Sequence, residues 1–185
     1  MGVVITLSGG FGSRRSKLAE KLEERLGYPR VKFSDYIKDK IAEDGENQED
    51  RLLQQQYGQK LVQNQLDGFV TGVLDRSPGW RDHGNLIVDG LRHVEVLLTL
   101  RRQIGPSTLF YVHVKADPLR REEAAIERGI PEQNMFRYDR ALSEAQMNRI
   151  LPAYANMEVE GSLGFSINVD EIVQHISGLQ PPAQV

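Results

Sequence analysis

The stretch VVITLSGGFGSRRSKL, residues 3–18, decides how this chain is read. It passes from β-branched and aliphatic residues, through glycines, into the start of an amphipathic helix. Residues 3–7 predict a strand covered on both faces, as in a parallel sheet. Residues 16–26 predict a helix, because Leu18, Ala19, Leu22 and Leu26 share one face. A glycine-rich turn between such a strand and a helix N-terminus gathers backbone N–H groups into a cradle for oxyanions. Gly9, Gly10 and Gly12 supply the close approach and the positive φ this requires. The pattern G-x-x-x-x-G-K-[ST], begun at Gly9, calls for Gly at position 14 and Lys at position 15. This chain has Arg14, Arg15 and then Ser16. Arg15 keeps the charge of the lysine that reaches terminal phosphates, but in a longer, planar group. Arg14 brings a bulky side chain to the helix start, where a nucleotide would pack. Ser16 stands where a hydroxyl binds Mg²⁺. Lys17 does not replace the missing lysine, since two residues along a helix is about 200° around its axis.

The remaining segments follow a regular order. Gly27 and Pro29 stop the first helix, and residues 31–33 predict a second strand. A helix over 35–42, with Ser34 as its N-cap, completes a βαβ unit with a right-handed crossover. The acidic stretch EDGENQED, residues 43–50, predicts an exposed connection. One long helix is expected over 51–74, with Leu52, Leu53, Tyr57, Leu61, Val62 and Leu66 along its apolar side. A turn-rich loop over 77–85 leads to the strand LIVDG, residues 86–90. A helix over 94–102 and an alternating strand over 108–114 come next. A charged helix over 119–128 is broken at Gly129-Ile130-Pro131. Then come a helix over 143–150, a last short strand over 164–169, a last helix over 169–179, and a frayed tail, 180–185. The order predicts one three-layer α/β/α domain over 1–179 with a mostly parallel five-stranded sheet.

Two groups of residues outside the loop could carry chemistry. Asp89 ends an apolar strand, at the sheet edge where α/β proteins bind ligands. An acid there orders Mg²⁺ through water, acts as a base, or caps the turn before Gly90. Arg92 follows that strand, Arg51 opens the long helix, and Arg120, Arg121 and Arg128 lie on the charged helix beside the Gly/Pro break. Guanidinium groups grip phosphates through a planar fork of donors. On the charged helix the same arginines could instead form a solvated face paired with Glu122, Glu123 and Glu127. The histidines, His83, His93, His113 and His175, show no metal-binding spacing and predict surface or core positions.

Composition narrows the function classes. The chain has 185 residues, of which 39% are hydrophobic and 26% charged, which fits a folded globular domain. A net charge of −3 gives no basis for bulk nucleic-acid binding, so phosphate affinity must come from local clusters. There is no cysteine, hence no disulfide, thiolate metal site or cysteine nucleophile, and a cytoplasmic setting is the expectation. No apolar run approaches the ~20 residues of a membrane helix.

Taken together, VVITLSGGFGSRRSKLAEKL, VKFSDYIKDKI, RLLQQQYGQKLV, NLIVDGLRHVEVLLTLR and GSLGFSINVDEIVQHI resemble the P-loop nucleoside and deoxynucleoside monophosphate kinases, with kinship to dephospho-CoA kinase-like proteins. The resemblance spans most of the chain. Its specific parts are the loop, in a degenerate form, and VDGLR. It implies a P-loop NTPase fold with a small helical lid, inserted at about 119–142. It implies ATP on Gly9, Gly10, Gly12, Ser13, Arg14, Arg15 and Ser16, and Mg²⁺ at Ser16 and Asp89. It also implies an acceptor nucleotide facing Asp35, Arg51, Gln54 and Arg92, with Arg120, Arg121 and Arg128 as lid arginines. Arg15, Asp89 and Arg128 would then act on the transferring phosphoryl group, and a homodimer is an allowed assembly. Because Arg14 and Arg15 depart from the family pattern, three readings stay open. They are a kinase of unusual loop chemistry, a pseudo-kinase that binds nucleotide or phosphate and acts through partners, and a structural module.

Overall fold

Five strands form the centre of the structure, a computed structural model that describes residues 2–127, 142–161 and 164–179. They are β1 (Val3–Gly9), β2 (Arg30–Lys32), β3 (Leu86–Leu91), β4 (Thr108–Lys115) and β5 (Met157–Glu160). Their order is β2-β3-β1-β4-β5, and every neighbouring pair is parallel. The sheet is therefore parallel throughout. The Arg128 position, the Gly129-Ile130-Pro131 break and the tail 180–185 lie outside the described residues, as does most of the expected lid insertion.

Helices cover both faces. They are α1 (Arg15–Leu26), α2 (Phe33–Glu43), α3 (Arg51–Asn64), α4 (Leu66–Leu74), α5 (Trp80–His83), α6 (Val94–Gln103), α7 (Pro118–Glu127), α8 (Leu142–Arg149) and α9 (Phe165–Ser177). All seven residues of β1 are buried, and their alternation splits the core into two halves. Val3, Ile5 and Leu7 pack with Leu18 and Leu22 of α1 and with Val169, Ile172 and Ile176 of α9. Val4 belongs to the opposite half, with Val70 and Val73 of α4, Leu97 and Leu100 of α6, and Met147 of α8. These are the three layers expected of strands that read as continuous apolar runs.

Four local expectations are corrected. The last strand is Met157–Glu160 and not 164–169, which instead opens α9. In that segment Asn168 and Val169 are buried together with Ile172 and Ile176, a helical spacing that overrides the apparent alternation. Met157 and Val159 alternate with Glu158 and Glu160 as an edge strand with one wet face. The expected helix over 51–74 is two helices, because Gln65 leaves the helical region at φ −145°, ψ 36°. Helix α2 starts at Phe33, one residue before Ser34, and has no side-chain cap. The 77–85 loop contains the short helix α5, whose Trp80 is buried.

Candidate functional site

Strand β1 delivers the loop to the C-terminal edge of the sheet, and α1 leaves from it. The turn closes through the Ser13 N–H, which donates to the Gly10 carbonyl at 3.1 Å. Arg14 occupies the N-cap with φ 58° and ψ 20°, the left-handed region. Among the described residues it is the only non-glycine with positive φ. The loop therefore keeps a backbone shape that favours Gly although Arg stands there, at about 1–2 kcal/mol of local strain. The cap offers no side-chain acceptor, and the first turn of α1 contains no acid. An anion is thus the natural complement of this helix start.

Two glycines near the loop are there because neighbouring backbone comes close. A Cβ on Gly12, whose φ is +80°, would fall 2.7 Å from the Cα of Arg121, so α7 lies directly on the loop. A Cβ on Gly161, just after β5, would overlap the Ser13 carbonyl oxygen. The side chain of Arg14 also reaches this region. Its guanidinium carbon stands 4.5 Å above the Phe165 ring at the start of α9, a cation–π contact.

Arg15 and Asp89 meet. Arg15 Nε is 2.7 Å from Asp89 Oδ1, with the Asp89 side chain only 1% exposed. Arg30 of β2 approaches the other oxygen, Oδ2, at 3.8 Å. Arg30 is itself fixed, by Glu23 at 2.8 Å and by donation to the Ser16 carbonyl at 3.2 Å. Arg15 Nη2 lies 3.3 Å from Ser16 Oγ. Nests of N–H groups and arginines suit the phosphates of ATP. The same residues do not suit Mg²⁺ in this arrangement. Arg15 already takes up Asp89 Oδ1, and its Nη2 lies beside Ser16 Oγ, so both oxygens expected to serve a metal face a guanidinium instead.

A cavity of about 770 Å³ opens beside the loop. The loop residues from Gly9 to Ser16 line it, together with Arg51, Gln54 and Arg92. Arg51 also stands over the ring of Phe11 at 5.6 Å, so loop tip and α3 touch. Gln54 Nε2 donates to the Gln48 carbonyl at 2.6 Å, which ties down the turn before α3. Asp35 is not among the lining residues; its carboxylate accepts from Ser34 Oγ at 3.4 Å. Arg121 and Asp89 do not line the cavity either, although Arg15 and Gly90 do. Of Arg120 the structure describes only the backbone. Lys17 pairs with Glu20 at 2.6 Å.

Neither a protein-family profile nor a curated protein sequence matches the chain. Solved structures do match, over almost the whole length. Shikimate kinase from Aquifex aeolicus is 17% identical with a TM-score of 0.52, covering 95% of this chain and 96% of that one. A gluconokinase from Sinorhizobium meliloti is 15% identical, TM-score 0.56, covering 95% and 92%. Shikimate kinase from Acinetobacter baumannii, in complex with shikimate, is 14% identical, TM-score 0.54, covering 97% and 94%. The fold is that of the P-loop kinases. At these identities the likeness extends to the fold alone.

Within this P-loop kinase fold, several residues of the site are not singled out by their types. Arg30 sits on a three-residue edge strand and carries no motif; it matters because β2 runs beside β3, placing Lys32 opposite Asp89. Beneath the loop, Ser8 Oγ lies 2.6 Å from Tyr111 Oη and 2.7 Å from His113 Nδ1. Burial pushes the Tyr111 hydroxyl up to about 12, and burial lowers His113 below its ordinary value. His93 lines the cavity, with Nε2 3.2 Å from Gln59 Oε1, and burial again lowers its pKa. Sequence spacing by itself assigns both histidines only to surface or core positions. Lys38 spans to Glu49, 2.8 Å from each carboxylate oxygen, at the cavity wall.

Proposed function

We propose that this chain is an ATP-dependent phosphotransferase of the P-loop kinase type, with a small anionic acceptor, in the first place a (deoxy)nucleoside monophosphate. The observation that carries this reading is the shared cavity, which loop residues Gly9 to Ser16 line together with Arg51, Gln54 and Arg92. Donor and acceptor held in one such space react in line, which is most of what phosphoryl transfer requires of a protein. An acceptor phosphate oxygen attacks the terminal phosphorus of ATP, the bond from that phosphorus to the bridging oxygen breaks, and ADP leaves. Lining the cavity are six Lys and Arg against three Glu, a balance that favours an anionic acceptor. Arg51 and Arg92 hold the acceptor, while the loop N–H groups and Arg15 hold the donor.

The experiment is a phosphotransfer screen with ATP against nucleoside monophosphates, with shikimate and gluconate included because the structural neighbours are kinases of those names. Transfer to a monophosphate is expected, with R92A losing about a hundredfold. Turnover with shikimate or gluconate alone would replace the acceptor assignment. One observation favours the second reading, a pseudo-kinase: Arg15 is already engaged by buried Asp89. That reading gains if wild type shows no transfer to any acceptor while the double variant R14G/R15K does.

A further inference from the structure

The cluster behind the loop has one acid and two arginines, and its geometry bears on how a polyphosphate is held. Asp89 presents Oδ1 to Arg15 and Oδ2 to Arg30, so each oxygen faces a guanidinium. It does not line the cavity, whereas Arg15, its partner at Oδ1, does. Arg30 is held in place from two further sides, by Glu23 and by the Ser16 carbonyl. The hydroxyl of Ser16, the other expected metal ligand, lies beside Arg15 Nη2. Among the described residues no cluster of three or more His, Asp or Glu is placed to hold a metal ion. With Glu23 on the far side of Arg30 the charges of the cluster balance, and the charge it turns toward the cavity is that of Arg15, where a cation-ordering acid was expected.

We infer that the Arg15–Asp89–Arg30 cluster does the work of a divalent cation, so that the loop binds its polyphosphate as the metal-free anion. This rests on the reading that residues 9–16 hold a polyphosphate. The arginine fork offers donors and charge toward the cavity, and the buried carboxylate behind it offsets part of that charge. A metal ion would have to displace Arg15 to reach Asp89. In solution Mg²⁺ would instead bind the polyphosphate and reduce the charge that the arginines recognise.

Binding tests this without turnover. Isothermal titration calorimetry of the full chain with ADP and with inorganic tripolyphosphate is run in EDTA and in Mg²⁺. The expected result is equal affinity within twofold, or tighter binding in EDTA. Mg²⁺ strengthening binding by more than twofold overturns the inference while leaving the loop's role standing. No binding of either probe in either condition overturns the loop reading, and this inference with it. The variant D89N gives an opposite-sign check. Removing the acid takes away the charge that offsets Arg15 and should tighten tripolyphosphate binding in EDTA at least threefold, whereas weaker binding by a folded D89N overturns the inference. Should D89N fail to fold, the wild-type comparison with and without Mg²⁺ decides alone.

Discussion

Arg14 and Arg15 are adjacent and solve opposite problems. Arg14 accepts a backbone region that glycine prefers and turns its side chain onto Phe165. Truncating it to Ala or to Gly removes that contact equally, so the pair isolates the backbone. R14G should be more stable than R14A by about 1 kcal/mol, read from urea-unfolding midpoints. Equal midpoints would mean that Arg14 is not held in the left-handed region. Arg15 is part of a nearly buried ion pair, and removing one partner of such a pair exposes the charge of the other. R15A should therefore destabilise the fold by about 2–3 kcal/mol, with R15K losing less, because Arg30 and the introduced ammonium group would still face Asp89. An arginine pointing only at solvent would leave the midpoint unmoved. The residue types of this loop are readable from the sequence, but their destinations are not. Phe165 and Arg30 lie far along the chain from Arg14 and Asp89, and only the packing of α9 and β2 brings them near.

At the level of elements, the strand–loop–helix opening, Asp89 near the C-terminal end of its strand, which runs on to Leu91, and the helical layers can be read from periodicity, because each is a local pattern. The C-terminal region cannot. Residues 157–160 and 164–169 both alternate, and what separates them is Asn168, buried at the start of α9 with Nδ2 donating to the Glu160 carbonyl at 2.9 Å. That bond joins helix to strand end, a tertiary contact that hydrophobic periodicity does not register. N168L should cost about 1–3 kcal/mol, since it leaves the Glu160 carbonyl without this donor. The same midpoint measurement checks it, and a loss below about 0.5 kcal/mol would show that the bond is dispensable. The stretch 51–74 reads as one helix because its apolar side continues past Gln65, and the break is a backbone event that hydrophobic spacing does not record. Helix α7 meets the loop at Gly12 by backbone contact. G12A should therefore push α7 away and destabilise by about 1–3 kcal/mol, through both its positive φ and the overlap with Arg121.

At the scale of the whole molecule, two histidines among the described residues lie buried in separate places, His93 at the cavity and His113 under the loop. Both have folded values below the ordinary 6.5, chiefly through burial, with Glu158 opposing and Lys115 reinforcing the shift at His113. Well above 6.5 both states are neutral at these sites and nothing is gained or lost. As pH falls below that value the unfolded chain takes up protons first, so stability declines until the folded values are passed. The urea midpoint should therefore drop between about pH 7 and 5.5, by less in H113Q than in wild type. A flat midpoint over that window would remove the assignment. Global organisation also follows from the position of β1, which pairs on both sides, with β3 and with β4, while β2 and β5 pair on one side only. Backbone amides of β1 can exchange with solvent deuterium only when the sheet comes apart, whereas the three-residue β2 can open alone. The loop thus springs from a strand paired on both sides while its charge cluster leans, through Arg30, on a three-residue edge strand. An anion settling in the cradle should slow exchange in β1 by the full stabilisation it confers on the folded state, and slow β2 only as far as local opening there releases Arg30, so that the two strands report two different openings.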